Sequence, residues 1–465
     1  MTYEALFEPI TIGDVEIKNR IAMAPMNMVY SDPEGYNSEQ WLAWYAARAK
    51  GGFGLIITDC VVVNPYYWRG SDHVNPHLFT DERHGRGLGV LADHIHAFGA
   101  KVFIQLSPGF GRQGHASSAS LHEAPAAPSA IPIRIDLRNL NKGWVKQVKR
   151  ISPELAPAIG ALDAQRAMSD EQYARLEEVL VEAVSKTDPQ LIKVIFGEVP
   201  RELTIAEIVF LEEKMAEMSA EALRYGFDGV EIHSPHGYLI HQFLSPWTND
   251  RSDRWGDPTR FLADCLGAVR ERCGEDFPVL VKLSAADDNE PGITVAAMVR
   301  TAGVLDRLGV EAAEISYGTM EYALNIIRGA FPVAEVPAAN PLLNRYPAPV
   351  RWAVKRFGLP RHAGRFKRFE RNYNVPAALA VREATRLPVI PVGGIRTLSE
   401  MRELVTGLGF AAVGLSRPLV CEPDLPRKLA AGTVQASQCS QCNLCTVHAD
   451  GGEPLRCRRA EKEKH

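Results

Sequence analysis

The sequence predicts an α/β fold, a (β/α)8 TIM barrel with a short C-terminal cysteine-rich metal-binding segment. Short apolar runs that close on polar residues or glycine recur eight times along the 465 residues. Most of them are followed by a stretch of helical period. Four of the eight cysteines, Cys439, Cys442, Cys445 and Cys457, crowd the C-terminus, whereas Cys60, Cys265, Cys273 and Cys421 are scattered. Eight β/α repeats in one chain point to a barrel, with a doubly wound sheet as the structural competitor.

The eight runs, in order, are "RIAMAP" (20–25), "GLIITDC" (54–60), "KVFIQLS" (101–107), "GVEIHS" (229–234), "PVLVKLSAAD" (278–287), "AAEISYG" (312–318), "LPVIPVGGI" (387–395) and "AAVGLSRP" (411–418). Each is short, rich in Val, Ile and Leu, and bounded by turn residues, the pattern of a strand buried on both faces. Ala, Leu and charged residues repeat at helical spacing over 39–50, 84–98, 207–225, 260–273, 295–308, 376–386 and 398–408. A barrel of residues 1–432 would then carry insertions at about 131–203 and 320–375, followed by the cysteine segment 433–465. The first insertion combines Pro-rich loop, the basic stretch "KGWVKQVKR" and a helix expected around 169–186; the second reads as irregular. Both follow barrel strands, so they read equally as active-site covers and as surface or subunit contacts.

Composition narrows the function. A 46% hydrophobic content supports a large core, and a net charge of −4 supplies no basic field for nucleic acid or an anionic membrane. "MTYEALFEPI" is not a secretory leader, and no run of about 18 apolar residues occurs, which predicts a cytoplasmic protein. "GFGRQG" (109–114) matches the dinucleotide fingerprint after a strand, but "HASSASLHEAPAAPSAIP" lacks the amphipathic helix that would hold a pyrophosphate.

The densest polar cluster is "EIHSPHGYLIHQFLSPWTNDRSDRWG" (231–256). Period-two alternation sets Glu231 and His233 on the barrel interior, and Ser234-Pro235 ends the strand so that His236 and Tyr238 fold over it. Zinc at His-x-x-His and plainly buried histidines are the alternatives on residue grounds.

"GFDGVEIHSPHGYLIHQFLSP" resembles a motif of the old yellow enzyme family of FMN-dependent oxidoreductases. The likeness extends to "LFEPITIGDVEIKNRIAMAPM", "GGFGLIITDC", "IQLSPGFGR", "VPRELTIAEI", "PVIPVGGI" and "VGLSRPLVCEPDLPRKL", in family order over nearly the whole chain. It implies that Pro25, Met26, Asn27 and Cys60 line the flavin, that Gln105 bonds the pyrimidine edge and that Lys282, where many members carry Arg, faces N1 and O2. Gly393, Gly394, Ser416 and Arg417 resemble the phosphate cradle. The family chemistry is hydride delivery from flavin N5 to an activated C=C bond, with His233 and His236 polarising the substrate carbonyl and Tyr238 as proton donor. NAD(P)H is the implied electron donor and a small-molecule unsaturated carbonyl the implied substrate.

The tail "CSQCNLCTVHADGGEPLRC" has C-x2-C-x2-C and then eleven residues to Cys457, a spacing suited to a [4Fe–4S] cubane or, alternatively, to zinc held by four thiolates. It is similar to the cluster segment of trimethylamine dehydrogenase, 2,4-dienoyl-CoA reductase and 2-enoate reductase. Those relatives continue into nucleotide-binding domains, so a redox partner protein is an expectation here, as is homo-oligomerisation. Two rival readings follow. One is oxidative demethylation of an amine, with Tyr66, Tyr67, Trp68 and Trp247 as cation-holding aromatics. The other is a non-catalytic electron-relay subunit.

Overall fold

The computed structural model describes residues 3–32, 34–64, 77–115, 125–133, 199–344, 347–364 and 366–459. Eight parallel strands form its centre: β1 (Ile21–Met23), β2 (Leu55–Val62), β3 (Lys101–Ser107), β4 (Gly229–His233), β5 (Val279–Ser284), β6 (Ala312–Ser316), β7 (Val389–Pro391) and β8 (Val413–Leu415). Each falls on one of the eight apolar runs. Neighbours pair in sequence order, and β8 returns to β1 through Val413–Ile21, Gly414–Ala22 and Leu415–Met23. The seam between β7 and β8 closes with the Val392–Gly414 bridge and with Ala411 N donating to Val389 O at 3.1 Å. The barrel reading therefore holds over the doubly wound one.

The surrounding helices are α1 (Glu39–Lys50), α2 (Glu82–His96), α3 (Ile205–Arg224), α4 (Arg260–Cys273), α5 (Val295–Arg307), α6 (Val375–Ala384) and α7 (Leu398–Arg402, running on to Gly407). Their starts are chemically marked. Ser38, Asp81 and Thr294 accept from N3 backbone N–H groups, and Thr204 with Glu207 and Thr397 with Glu400 form capping boxes. Apolar faces of these helices pack on the outer faces of the strands.

Inside the barrel the lower layer is apolar. Leu55, Ile57, Phe103, Leu280, Ala312 and Ile390 meet Ile12, Val15 and Ile17 of an N-terminal antiparallel hairpin, which plugs the floor. Burial of each large side chain here contributes about 1.5–3 kcal/mol. Water is thereby kept from one end of the barrel, leaving the C-terminal mouth as the point of access.

Segment 320–375 departs from the irregular stretch expected of it. It holds the short helical turns Ala323–Ile326, Val336–Ala339, Pro341–Asn344, Ala348–Ala353 and Leu359–Ala363. Such turns of four to six residues carry too little apolar periodicity to stand out in sequence. In the other insertion, Arg201–Glu202 pairs with Ala126–Ala127, while the helix expected around 169–186 and the basic stretch lie outside the described residues. Among the described residues no helix is long and apolar enough to cross a membrane.

Asp228, just before β4, ties α2 to two strands: it accepts from His96 Nε2 at 2.7 Å, Lys101 Nζ at 2.8 Å and Val102 N at 2.8 Å. Burial pushes its carboxyl up, but these hydrogen bonds outweigh it and hold the group below its ordinary value. The stabilisation is therefore present above the unfolded value of about 3.9 and lost as pH falls through the folded one. Asp228→Asn is expected to cost about 1–3 kcal/mol at neutral pH and to flatten the acid limb of the stability profile, measured by urea denaturation across pH.

Candidate active site

Above the apolar floor, strand register stacks a polar layer. Cys60 pairs with Gln105, Gln105 with Glu231, and Lys282 with both His233 and Glu314. Gln105 Nε2 donates to Glu231 Oε1 at 2.6 Å, and Lys282 Nζ donates to Glu314 Oε2 at 2.5 Å. Both carboxyls are fully buried, and two acids share one cation. Burial, reinforced by the Glu314 charge, pushes the Glu231 carboxyl well above the carboxylate range, so it keeps its proton. That proton can bridge to Glu314, which accounts for the second oxygens, Glu231 Oε2 and Glu314 Oε1, having no other protein partner.

At the mouth the histidines and the tyrosine converge. The His233 ring lies 5.1 Å from that of His236 and 5.3 Å from that of Tyr238. His233 is buried, yet both its ring nitrogens lack a protein partner. Burial and, secondarily, the Lys282 charge hold His233 well below the usual imidazole range; burial and His233 do the same for His236. Both rings are thus neutral at pH 7, each offering one N–H. His236 adopts a left-handed conformation, φ 67°, with Nε2 2.8 Å from Ser316 Oγ and its carbonyl accepting from Met320 N at 3.0 Å. A strained non-glycine backbone held from two sides is a feature of functional loops. Tyr238 begins the helix Leu239–Leu244, packs 5.0 Å from the Phe110 ring, and has its phenol pushed well above its usual value by burial.

Gln242 fastens this loop to the one after β3. Its Nε2 donates to Phe110 O at 2.9 Å and Gly237 O at 2.7 Å, and its Oε1 accepts from Arg112 N at 3.1 Å. Gly111 has φ +59°, and a Cβ there would sit 2.1 Å from Gln242 Oε1. Here, then, lies the use of the fingerprint glycines: Gly111 opens a 3-10 turn, Gly111–His115, pressed against Gln242.

The remaining candidate residues ring the same mouth or its rim. Strict alternation along β2 would turn Asp59 inward, but a bulge between Ile57 and Cys60 reverses the phase. Asp59 faces out to Trp41, Tyr45 and His77, and Cys60 takes the inner position with its thiol pushed up to about 12 by burial. Pro25 and Met26 are half-buried and Asn27 exposed in the turn after β1. Gly393 and Gly394 have φ +121° and +81°; Cβ atoms there would lie 2.6 Å from the Tyr373 ring and the Asn372 nitrogen. Ser416 leads from β8 into the helix Arg417–Cys421. The Arg417 guanidinium is buried, donates to Arg328 O at 2.7 Å and bonds Asn443. Two of its five N–H donors are thus engaged by the 328–330 loop and the cysteine segment.

That segment lies along the β7–β8 end of the barrel. Leu398 N donates to Gln435 O at 2.9 Å and Ser437 N to Arg396 O at 3.0 Å, while Glu422 accepts from Ser437 Oγ at 2.8 Å and Gln438 N at 2.7 Å. Leu455 N returns to Met28 O at 2.9 Å, just past β1. Cys439, Cys442, Cys445 and Cys457 line a small cavity of about 30 Å³ whose walls include Arg417, Arg458 and Cys421. Among the described residues no three His, Cys, Asp or Glu side chains converge on a single ion position. Of the rival reading's aromatics, Trp247 is half-buried, and Tyr66, Tyr67 and Trp68 lie outside the described residues.

Sequence reading missed Glu314, Ser316, Gln242, Asn443 and Cys421. A signal existed for the first two: a lone Glu and Ser at alternate positions of the apolar run "AAEISYG" share an interior phase. The others depend on which loops meet.

A closed β/α barrel with this polar mouth is the framework of an FMN oxidoreductase. The profile of the NADH:flavin oxidoreductase / NADH oxidase family matches residues 5–152 and 162–342, and the chain belongs to that family. It is 27% identical over 456 residues to an NADH oxidase of Thermoanaerobacter brockii, covering 96% of this chain and 54% of that protein. With an NADPH dehydrogenase of Bacillus velezensis it shares 32% over 330 residues, covering 70% of this chain and 77% of the relative. Among solved structures, a 2-naphthoyl-CoA reductase complex superposes with a TM-score of 0.69 at 21% identity, covering 98% of this chain and 57% of the other, a likeness of fold. The chain spans about half the length of the first of these relatives.

Lys282→Met would leave Glu314 buried without its cation, a change expected to cost about 3–5 kcal/mol. In Lys282→Met/Glu314→Gln at least half of that should return, measured by chemical denaturation. Gly111→Ala is expected to lower stability by about 1–3 kcal/mol, because it combines the left-handed backbone with the Gln242 clash; measured in a Gln242→Ala background, which already lacks the Phe110, Gly237 and Arg112 contacts, the same substitution should cost less because only the backbone strain remains.

Proposed function

We propose that the chain is an NAD(P)H-dependent ene-reductase acting in the cytoplasm on a small-molecule unsaturated carbonyl, with FMN as its resident cofactor. The observation that carries this is the convergence of neutral His233 and His236 with protonated Tyr238, His233 being buried with both nitrogens unpartnered. The residues present fit FMN: a buried amide and ammonium, Gln105 and Lys282, for the pyrimidine edge; Pro25, Met26, Asn27 and Cys60 along the ring; and Gly393, Gly394, Ser416 and Arg417 at the phosphate end. When bound, FMN supplies a hydride to the β-carbon of the conjugated alkene.

The chain's own groups do the rest. His233 and His236 direct N–H donors at the substrate carbonyl oxygen, where charge builds, and loss of a comparable donor costs about 10²–10³ in rate. Ser316 holds the His236 ring in its orientation. Tyr238 retains its proton across the neutral range and gives it to the other alkene carbon. Lys282, paired with Glu314, keeps the site near neutral overall while presenting a cation to the pyrimidine edge.

In this reading residues 1–432 form the flavin barrel and 433–465 a [4Fe–4S] segment, with Cys439, Cys442, Cys445 and Cys457 as ligands. The donor set and the arginines around the cavity suit an anionic cluster. A cubane carries each thiolate on a different iron, so its sulfurs stand further apart than around one zinc. The cavity's contact with Arg417 also favours a second reading, amine oxidation with electrons leaving through the cluster to a separate redox partner protein. Self-association into a homo-oligomer is compatible with either.

Anaerobic mixing separates the two: NAD(P)H should bleach the flavin and an enone restore its colour, whereas bleaching by a methylated amine alone would overturn the reductase. Tyr238→Phe is expected to slow reoxidation by the enone about 10²–10⁴-fold while flavin reduction by NAD(P)H changes less than about tenfold, read by stopped-flow absorbance. With both histidines neutral and the phenol protonated, reoxidation should show no titration between about pH 6.5 and 10, a window bounded by the ordinary His and Tyr values.

A further inference from the structure

A cubane takes four thiolates, and this chain brings five thiols to one cavity. Cys421 closes the helix Arg417–Cys421 and lines the same cavity as Cys439, Cys442, Cys445 and Cys457. The two thiols, those of Cys421 and Cys457, lie close enough in that cavity to interact electrostatically. The two arrive from different directions. Cys421 is set by the buried Leu419 and Val420 before it and by Glu422 after it, whose carboxylate accepts from Ser437 Oγ at 2.8 Å and Gln438 N at 2.7 Å. Cys457 comes back after the Gly451-Gly452 turn, held through Leu455 N on Met28 O at 2.9 Å. Three of the thiols therefore belong to one short loop, Cys439 to Cys445, and two more, Cys421 and Cys457, reach the cavity from other elements.

We propose that Cys421 is a reserve ligand for the fourth iron of the cluster, able to take the place of Cys457. The proposal rests on the cluster reading given above. In the exchange the bond from iron to the Cys457 sulfur would break, a bond from the same iron to the Cys421 sulfur would form, and the Cys421 proton would pass to the departing Cys457 thiolate in the cavity they share. No electron changes hands, and the iron and sulfide content is unchanged. Among the described residues Cys421 is the one further cysteine lining the cavity, and its strongest interaction there is with Cys457, ahead of Cys439.

The test uses the full chain, reconstituted anaerobically with ferrous iron and sulfide, with iron and acid-labile sulfide counted per chain and the reduced cluster read by electron paramagnetic resonance. Wild type, Cys421→Ala and Cys457→Ala are each expected to hold about four irons, as befits a [4Fe–4S] centre. Cys421→Ala/Cys457→Ala and Cys439→Ala should lose the cluster while retaining FMN and the wild-type elution volume. A Cys457→Ala chain that keeps its flavin but loses its iron as fully as the double variant overturns the proposal. Wild type that takes up no iron overturns the cluster reading itself, and the reserve role with it. Should Cys457→Ala fail to fold, iodoacetamide labelling of the native wild-type holoprotein decides. Label divided between Cys421 and Cys457, with iron retained, supports exchange, and label on Cys421 alone overturns it.

Discussion

Ionisable side chains inside a closed barrel have no water to solvate them, and the arrangement of Gln105, Glu231, Lys282 and Glu314 answers that constraint. Four groups from consecutive strands are joined in a chain of polar contacts, Gln105 to Glu231, Glu231 to Glu314 and Glu314 to the Lys282 ammonium, with the Glu231 carboxyl keeping its proton. Removing water from a charge is costly unless a partner of opposite charge stands at contact distance. The pairing therefore sets the height at which the interior changes from apolar to polar. Everything above it, from the His233 ring to the mouth loops, is built on the ends of strands whose relative positions this layer locks.

The mouth is assembled from loops that are each held by a specific polar contact. Gln242 links the turn after β3 to the His236–Tyr238 loop, and Ser316 at the end of β6 steadies the His236 ring. Arg417 performs the corresponding service at the opposite rim, bonding the Arg328 carbonyl and Asn443 together. Ala330 N on Gln441 O at 2.9 Å completes that junction. Segment 320–375, the β8 end and the cysteine segment thus form one packed unit, and the thiol cavity is walled by the residue that directly follows Ser416. This coupling is what makes electron passage between a flavin and a cluster chemically sensible in the proposed reading.

Much of the fold was legible in sequence because strands buried on both faces read as continuous apolar runs and capped helices carry Ser, Thr or Asp at their starts. The inward positions of Glu231 and His233 along β4 could be read from period two, while Gln105 on β3 and Lys282 on β5 came from the family resemblance. Period two alone would not have found Cys60: the bulge in β2 exchanges Asp59 for Cys60 at the inner face, and no composition signal near Thr58 announces it. Nor could it show that Asn443 and Arg328, 26 and 89 residues away, bond Arg417.

The sequence by itself determined the succession of strands and helices, the inward phase of Glu231 and His233, the convergence expected at His236 and Tyr238, and the thiol spacing of the tail. These are consequences of backbone periodicity and of neighbours a few residues apart. Only the tertiary structure decided that Glu314 pairs Lys282, that Gln242 occupies the space Gly111 leaves open, and that Cys421 lines the same cavity as Cys457. Such contacts arise when barrel closure brings together side chains that are distant in the chain, and burial then selects partners by charge and shape rather than by order in sequence.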